Sequence, residues 1–441
     1  MSRKLIVLMV LALVVAFTCS AYAEVQNVKI GGDTSIWAFD RNTFNLENVK
    51  SDPLAKKADF NGLAQIANIK ISADLTDAVS VNMTIRNERI WGGGTENVTS
   101  NYVAGTQNVG ETYTYLAAGY VTLKEMFGQP FTLKAGTMGF KLGSGLLVGD
   151  ADTNRVSTGP FTQALADLSP RKAFTGFVGI LDLKPIVITG GALKVTEGGL
   201  VTNSDDVNAY LVNVGYDLNE VGLKGLGEMY WVERHADRTP IDNFGVRVQA
   251  SPMENFNAGA EVCYQNSKVR IGTAGANGTR EKGDSNLAYM LNAGFVMPDV
   301  VMAPSIGIDY TELSKNWHPM MEDMTPADIA NLLFPNTNVR CPGVTIGAKP
   351  MADVGASLRY TNFRSDKPIA AGATSFQNDI AQYAMTGDAS LGAELDLHLT
   401  YDYTEDVQFG LMGGIFMPGK AFDECNREDA TQVIGSMKVT F

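Results

Sequence analysis

Apolar and polar residues alternate along most of this chain with a period of two. The last ten residues, Gln432 to Phe441, show the pattern, with Ile434 as the one apolar exception on the polar side. Because successive side chains of a strand point to opposite faces, the pattern predicts a β-strand with one apolar and one polar face. The clearest case places Leu391, Ala393, Leu395, Leu397, Leu399 and Tyr401 on one face and Gly392, Glu394, Asp396, His398 and Thr400 on the other.

The same pattern predicts about eighteen strands. An opening strand at 28–38 precedes a hairpin of strands at 69–75 and 79–86, joined by Thr76-Asp77. Sixteen strands remain an alternative, because sequence patterns place strand boundaries only to within about two to four residues. The further strands are predicted near 112–124, 130–142, 171–183, 186–197, 205–217, 221–235, 241–252, 256–270, 285–297, 301–313, 343–350, 352–363, 388–402, 405–417 and 430–441.

Short and long connections alternate between these strands. Links such as Lys184-Pro185 and Pro298-Asp299 are short, whereas 143–170, 271–284, 314–342 and 364–387 are long. This asymmetry is typical of outer-membrane barrels, whose short turns face the periplasm and whose long loops face outside. A soluble sandwich needs no such asymmetry. The sequence therefore predicts an all-β fold, a transmembrane antiparallel β-barrel, with residues 24–441 as its single domain.

The first 23 residues predict a secretory signal peptide. Arg3 and Lys4 precede an apolar run from Leu5 to Phe17, and Ala21-Tyr22-Ala23 offers the small residues of a cleavage site. The apolar run is too short to span a bilayer as a helix. We therefore expect the mature chain to begin at Glu24 and to be exported to the outer membrane of a Gram-negative-type bacterium.

Composition agrees with a barrel and narrows the choice of partners. Charged residues make up 19% of the chain, and 45 residues are glycine. A barrel wall gives such a balance, because each strand presents one face to lipid and one to water. The formal net charge of −13 argues against nucleic acid as a partner. The expected partners are outer-membrane lipid, small hydrophilic solutes and the barrel-assembly machinery, and a homotrimer is left open.

Aromatic residues gather near the ends of predicted strands. Amphipathic rings prefer the headgroup zone of a membrane, so together these residues are expected to form an outer girdle. They are Trp37, Trp91, Tyr230, Trp231, Tyr310, Tyr360, Tyr401 and Tyr403. An inward position of Tyr230 and of Phe416 is left open as an alternative.

A barrel of eighteen strands is too wide for its own side chains to fill, so an aqueous passage is expected unless a plug closes it. Cations and anions are roughly balanced on the predicted inner face. Mixed charge favours a weakly selective passage for small hydrophilic solutes or ions. For any single residue, a solvated charge on the wall is the simpler interpretation. The predicted pore-lining residues are Lys70, Arg86, Lys134, Lys194, Lys224, Glu228, Arg247, Glu261, Asp309, Arg359, Glu394 and Asp396.

Two long loops are candidates for narrowing this passage. The 143–170 segment follows the fifth strand, as the constriction loops of general porins do, and it carries Asp150, Asp152, Arg155 and Asp167. The run that begins at Asp150 resembles the start of a calcium loop, but the expected glycine and closing glutamate are missing, so no metal site is predicted.

The second candidate lies within 314–342. Thr325-Pro326-Ala327-Asp328 predicts a helix start, and Ile329, Leu332 and Leu333 supply an apolar face. This helix would either pack on the loop above the barrel or form a lid over its mouth.

No enzyme activity and no cofactor is predicted. The three histidines, His235, His318 and His398, have no neighbouring nucleophile in a catalytic pattern. No Cys/His spacing indicates zinc, and no phosphate-binding loop occurs.

Three cysteines follow the signal peptide. Cys341 and Cys425 fall in loops predicted on the same outer side, where disulfides are permitted, so a bridge between them is a hypothesis. Cys263 is expected to face the lumen as a thiol.

The glycine-rich stretch from Lys134 to Asp150 resembles the strand-to-loop pattern of alginate-export-type barrels, which are eighteen-stranded outer-membrane channels. Thr137 stands where that family usually has an arginine. The final Phe441 resembles the closing residue that the assembly machinery reads in bacterial outer-membrane barrels, and it is therefore the expected assembly signal. The resemblance implies a channel, although export of a polyuronate would require a strongly cationic lumen.

The sequence thus predicts an outer-membrane porin for passive diffusion of small hydrophilic solutes or ions. Two alternatives stay open. One is a structural or surface-binding barrel whose bore is plugged, and the other is an alginate-export-like polysaccharide channel.

Overall fold

The computed structural model describes residues 26–50, 56–91, 113–151, 163–196, 207–236, 240–267, 286–372 and 383–441. The predicted signal peptide, 1–23, lies outside these residues. So do Asp152 and Arg155 of the predicted constriction loop.

Within the described residues, eighteen antiparallel strands form one closed sheet. Each strand pairs with its sequence neighbours, and the last strand pairs with the first, with Asp33 opposite Thr440 and Asn42 opposite Thr431. The predicted barrel is confirmed, and the sixteen-strand alternative is wrong. The strands are β1 (Gln26–Asn42), β2 (Phe60–Thr76), β3 (Val79–Ile90), β4 (Tyr113–Leu123), β5 (Phe131–Met138), β6 (Phe174–Leu183), β7 (Ile186–Thr196), β8 (Val207–Asp217), β9 (Lys224–Ala236), β10 (Ile241–Met253), β11 (Phe256–Ser267), β12 (Leu287–Val296), β13 (Ser305–Leu313), β14 (Val339–Met351), β15 (Val354–Arg364), β16 (Ser390–Asp402), β17 (Val407–Pro418) and β18 (Ala430–Thr440).

The two ends of the barrel differ in their connections. At the end that we call the turn end, Lys184-Pro185 joins β6 to β7 and Glu254-Asn255 joins β10 to β11. At the opposite end, the loop end, residues 139–173 join β5 to β6 and residues 314–338 join β13 to β14. Antiparallel strands need only two residues to reverse direction, so the long loop-end segments are available for other roles. No helix among the described residues is long and apolar enough to cross a membrane.

The outer face of the barrel is apolar. On β16, Leu395 and Leu397 are exposed, whereas Glu394 and Asp396 between them are 0% and 1% exposed. The same alternation leaves large apolar side chains on the outside of most strands, including Val246, Val262, Ile308 and others. Exposing apolar area to water costs roughly 25 cal/mol per Å². This face is therefore suited to the hydrocarbon core of a bilayer.

The inner face has two tiers. Toward the turn end many of its side chains are small and polar, and we call these residues the polar tier: Ser72, Thr132, Thr189, Asn257, Asn292, Ser305, Ser357, Thr400 and Ser436. Toward the loop end they are buried and apolar, and we call this the apolar tier: Met138, Phe174, Leu193, Leu211, Ile241, Leu313, Val339, Phe363 and Phe416.

Two members of the predicted aromatic girdle face inward. Trp37 packs beside Ile66 and Ile434. The hydroxyl of Tyr230 donates to Glu261 over 2.6 Å. Their assignment to the headgroup zone is wrong, because each shares the face of its strand that points into the barrel. By contrast, Tyr360 and Tyr401 are exposed on the outer face.

The carboxyl end closes the barrel against β1. The Phe441 backbone N–H donates to the Gly32 carbonyl over 3.0 Å, and the Gly32 N–H donates back over 2.8 Å. A Cβ on Gly32 would lie 2.7 Å from the Phe441 ring and 2.3 Å from the Asn68 carbonyl, so only glycine allows this approach. The Phe441 side chain is 68% exposed. Its role as an assembly signal stays a prediction.

Candidate functional site: the loop-lined lumen

The described parts of two loop-end segments fold into the barrel and meet there. The 139–173 and 314–338 loops join in a short parallel pairing of Val148 with Met321. The Met321 N–H donates to the Leu147 carbonyl over 3.1 Å, and the Gly149 N–H donates to the Met321 carbonyl over 2.8 Å. Side chains of both loops, including Leu146 and Phe334, are buried against the apolar tier. The apolar tier is therefore the surface on which the loops pack.

Glycines permit the close approach of the two loops. A Cβ on Gly149 would lie 2.4 Å from the Asp323 side chain. A Cβ on Gly145 would lie 2.9 Å from the Asp323 carbonyl oxygen, and Gly145 has a φ of 91°, which other residues rarely adopt. The glycine-rich stretch that the sequence singled out thus serves loop-to-loop contact.

Asp323 is held between two cations of the other loop. Lys141 Nζ lies 2.9 Å from Asp323 Oδ2, and Arg171 Nε donates to Asp323 Oδ1. Arg171 Nη2 also donates to Thr325 Oγ1 over 3.2 Å. Burial on its own would raise the pKa of Asp323, but the hydrogen bonds and charges of Lys141 and Arg171 lower it below its ordinary value. Lys141 and Arg171 are 48% and 34% exposed, so both also face the remaining space.

Acid should loosen this contact. Because the pKa of Asp323 is lowered in the folded protein, its stabilising contribution is complete above the ordinary value of 3.8 and is lost as pH falls through the lower folded value. We expect the noise of the open-channel current to rise in wild-type protein below about pH 4. Asp323→Asn should be noisy already at pH 7 and should change less with acid. An identical acid response in both proteins would contradict this role of Asp323.

A short segment of the second loop, Asp323–Ala330, lies against the inner wall of β15 and β16. We call it the eyelet segment. Arg359 Nε donates to the Pro326 carbonyl over 3.2 Å. His398 Nε2 lies 2.8 Å from Asp328 Oδ2. The buried Glu394 accepts the backbone N–H groups of Ile329 and Ala330 over 2.6 and 2.7 Å. These contacts fix the position of the segment inside the barrel.

The predicted helix of this loop is shorter and deeper than expected. The helix, α1, runs only from Ala330 to Leu333 and is fully buried. The predicted start at Thr325 is therefore wrong, because the residues before Ala330 form bends and a turn along the wall instead. The interpretation as a lid above the mouth is likewise replaced by a position within the lumen.

Two further clusters of charge occupy the wall. Arg359 donates two hydrogen bonds to Asp309, over 2.9 and 2.8 Å. Arg247 donates to Glu228 over 2.6 Å, and its Nε lies 3.7 Å from Glu261. Asp396 of β16, also a predicted wall residue, is 1% exposed.

Asp167 and Asp150 anchor the first loop. Asp167 accepts two hydrogen bonds from the fully buried guanidinium of Arg41, over 2.9 and 2.6 Å. Asp150 accepts the backbone N–H of Lys172 over 2.9 Å. The geometry gives both carboxylates partners within the protein.

Lys172 links the same loop to β3 and β4. Its Nζ donates to the Tyr115 hydroxyl over 2.9 Å and to Glu88 over 3.3 Å. Burial opposes the charge, but Tyr115 and Glu88 raise the pKa of Lys172 above its ordinary value.

The remaining predicted wall residues divide into inward and outward positions. Lys70, 2.6 Å from Asp33, faces inward, as do Arg86, Lys134 and Lys224. Lys194 does not. It pairs with Asn208 and Thr175 on the outer face, while its neighbour Leu193 is the inward, buried residue. The prediction of Lys194 as pore-lining is wrong.

The predicted disulfide is also wrong. Cys341 and Cys425 are not bonded to each other. Cys341 lies on the inner face of β14, where its Sγ contacts the Thr311 carbonyl, whereas Cys425 lies in the connection between β17 and β18. Cys263 faces the lumen as expected and is buried.

Sequence reasoning missed the charges that the loops contribute. Arg41, Lys141, Asp323 and Asp328 were not predicted, although each contacts another charged group inside the barrel. Alternation finds only residues within strands. In the ranges that the structure covers, no group of three or more His, Cys, Asp or Glu side chains is placed to hold a metal ion.

Comparison with known proteins agrees with this architecture. The Alginate export family model matches residues 29–436. No curated protein matches the chain in sequence.

Several solved structures share the fold. Pseudomonas aeruginosa OccK9 (OpdG) is 13% identical with a TM-score of 0.59, over 95% of this chain and 100% of that one. P. aeruginosa OccK2 (OpdF) in complex with glucuronate is 12% identical with a TM-score of 0.57, over 94% and 99%. P. aeruginosa OpdK with vanillate is 13% identical with a TM-score of 0.55, over 94% and 99%.

The TM-scores over nearly the whole length of both chains establish the fold, which is that of an outer-membrane channel. The apolar outer face and the family match place the barrel in the outer membrane. Because the family model covers nearly the whole length, the chain belongs to the alginate export family.

Proposed function

We propose that this barrel is a passive channel for small hydrophilic solutes or ions, with its constriction at the eyelet segment. The observation that carries the proposal is the partial exposure of paired charges there. Lys141, Arg171 and Arg359 each hold an acid, yet each keeps part of its surface open. A solute crossing this point would meet fixed charges of both signs, which orient small polar molecules without binding them tightly.

The polar tier, at the turn end of the lumen, also supports the proposal of a channel. A cavity of about 520 Å³ at the turn end is lined by Ser305, Ser357, His398 and Thr400, among others. His398 thus connects this cavity to Asp328 of the eyelet segment. Hydroxyl groups and small side chains leave a wetted space between the constriction and the turn end.

The similar structures indicate the size of solute that such a fold admits. OccK2 was solved with glucuronate and OpdK with vanillate. Both are small molecules with one carboxylate. We propose a solute of comparable size for this chain and leave its identity to measurement.

We also propose that the barrel is not an enzyme. Each histidine has a structural contact. His398 pairs with Asp328, His235 pairs with Glu233, and a ring nitrogen of His318 lies 2.7 Å from the Pro319 carbonyl. None of these contacts joins a histidine to a hydroxyl or thiol nucleophile among the described residues.

One observation favours a different function. The two loops pack against the apolar tier so closely that Trp317, Leu333 and Phe363 are almost completely buried. A bore closed in this way would suit the alternative of a structural or surface-binding barrel. An alginate-export-like polysaccharide channel is supported by the family alone, since the charges of this lumen are mixed.

Conductance across a planar bilayer tests the proposal. Purified, folded wild-type protein should give steady current steps that grow linearly with voltage. Lys141→Glu with Arg171→Glu should shift the reversal potential in a salt gradient toward cation preference, while Lys124→Glu with Lys184→Glu at the turn end should shift it less. Steps in groups of three would support the homotrimer. A folded barrel that carries no current at any voltage would refute the channel and support the plugged alternative.

A further inference from the structure

A cluster of charged residues lies at the loop end of β13–β15, partly on the outer face of these strands and partly just beyond their ends. It consists of Glu312, Arg340, Arg364, Asp366, Lys315 and Lys367, and we call it the rim cluster. Glu312 and Arg340 point outward, because their strand neighbours Leu313, Val339 and Cys341 are buried on the inner face. Arg364 points outward for the same reason, since Phe363 is fully buried. Charge in this position is unexpected, since the same face is apolar farther along these strands.

Arg340 forms ion pairs with both acids of the rim cluster. Its Nε donates to Glu312 Oε1 over 3.0 Å, and its Nη2 donates to Asp366 Oδ1 over 2.6 Å. The Tyr310 hydroxyl donates to the other oxygen of Glu312. The backbone N–H of Lys315 donates to the other oxygen of Asp366 over 3.1 Å. The acids are therefore held in place by Arg340 and Lys315 of the cluster and by the adjacent Tyr310.

The other three cations of the rim cluster have no acidic partner within the described residues. Arg364 lies directly opposite Arg340 in the β14–β15 register. Like charges in directly opposite positions destabilise a sheet. The charged ends of Arg364, Lys315 and Lys367 form no ion pair with any described residue, and all three are exposed. Four cations and two acids give the rim cluster a charge of +2, in a chain whose formal charge is −13.

An amphipathic surface continues from the rim cluster toward the turn end. Tyr310 and Tyr360 come first on the outer face, followed by Ile308, Val344 and Leu358, which are exposed. On the outer face of β14, Pro342 lies between Arg340 and Val344. β14 and β15 pair at Arg340–Arg364 and again at Gly343–Thr361, but not at the two positions between these pairs. Proline lacks the N–H that a ladder needs, so the sheet is interrupted beneath the two arginines.

We propose that the rim cluster binds the phosphorylated headgroup of an outer-leaflet lipid. Guanidinium groups bind phosphate oxygens in pairs, and a phosphate between Arg340 and Arg364 would neutralise their repulsion. The lipid's sugar or glycerol portion would rest on Tyr310 and Tyr360, and its acyl chains would follow the apolar strip below. Free phosphate would gain nothing from that strip, so the surface fits a lipid rather than an ion in solution. This inference holds whether or not the bore conducts.

Native mass spectrometry of the detergent-solubilised full barrel tests the inference. The probe is diphosphorylated lipid A, compared with its dephosphorylated form and with inorganic phosphate. Wild-type protein should retain the diphosphorylated form at least tenfold more than the dephosphorylated form. The triple variant Arg364→Gln, Lys315→Gln, Lys367→Gln keeps the Arg340 ion pairs and should lose most of this retention.

A matched triple variant controls for net charge. Lys124→Gln, Lys184→Gln and Lys349→Gln remove the same charge at the turn end and should leave retention unchanged. Equal retention by wild-type protein and the rim-cluster variant would overturn the inference. So would equal loss in both triple variants, equal retention of the dephosphorylated lipid, or displacement of the lipid by inorganic phosphate at millimolar concentration.

Discussion

Replacing residues 316–336 with a short Gly-Ser linker should raise the single-channel conductance several-fold. This segment places Trp317, Met321, Leu332 and Phe334 against the apolar tier, where they fill the loop-end half of the lumen. The strands that it connects, β13 and β14, pair directly with each other, so the wall does not depend on the loop for its hydrogen bonds. Loop length changes closure entropy only slowly, so a shorter link should still allow the barrel to close. Planar-bilayer recording measures the effect.

Two point-variant proteins separate constriction from general damage. Glu394→Gln with Asp328→Asn weakens only the attachment of the eyelet segment to β16, so it should give a smaller increase and a noisier current. Glu428→Gln removes a partly exposed ion pair with Lys57 at the loop end and should leave conductance at the wild-type value. Retention of the heat-dependent gel shift of a folded barrel is required of every variant. A folded linker variant that conducts like wild type would show that the constriction lies elsewhere.

The barrel itself could be predicted because alternation is a local property of each strand. Every strand carries its own lipid-facing side chains, and their number and the loop asymmetry then require closure. The prediction fails where a bulge changes the alternation. Between β15 and β16, Phe363 pairs with Gly392 but the next residue, Arg364, pairs with Ser390, so the register skips Leu391 of β16. Leu391 consequently turns inward and is fully buried, although the sequence pattern groups it with Leu395 and Leu397.

The apolar tier could not be predicted for a related reason. Phe363 and Phe416 occupy inner-face positions, but in the sequence an apolar residue on the polar side looks like an exception, as Ile434 did. Their purpose becomes apparent only when the 139–173 and 314–338 loops pack on them. That packing is a tertiary contact, and the loop sequences have no periodic pattern from which it could be predicted.

Alternation predicted only those residues of the candidate site that lie within strands. Glu394, Asp309 and Arg359 follow from alternation, because they lie within strands. The loop groups that contact this wall, such as the Ile329 N–H at Glu394 and Asp328 at His398, depend on where the 314–338 loop passes inside the barrel. Cys341 was misassigned because the predicted strand begins only at residue 343, which leaves Cys341 in the preceding 314–342 loop. In the structure Pro342 lies within β14, on its outer face, and directs Cys341 into the lumen.

Removing the guanidinium of Arg41 should cause the largest loss of stability of any substitution considered for this barrel. Arg41 is 0% exposed and joins β1 to Asp167 of the first loop by two hydrogen bonds, with a third donated to Gln432 of β18. Breaking a buried ion pair by removing one partner costs about 3–5 kcal/mol, because the other charge is left uncompensated. We expect Arg41→Ala and Asp167→Ala each to lower the free energy of unfolding by an amount near that range. Urea titration of the barrel refolded into phosphatidylcholine vesicles, followed by tryptophan fluorescence, measures it.

The double variant distinguishes a specific pair from two independent losses. If Arg41 and Asp167 stabilise each other, Arg41→Ala with Asp167→Ala should cost clearly less than the two single losses added together, since no unpaired charge remains buried. The half-exposed pair of Lys57 and Glu428 is the matched control, and its removal should cost at most about 1 kcal/mol. Strict additivity at Arg41 and Asp167 would mean that the loop is held by its apolar contacts alone. The coupling therefore decides whether the inward fold of the first loop is fixed by charge or by the apolar tier.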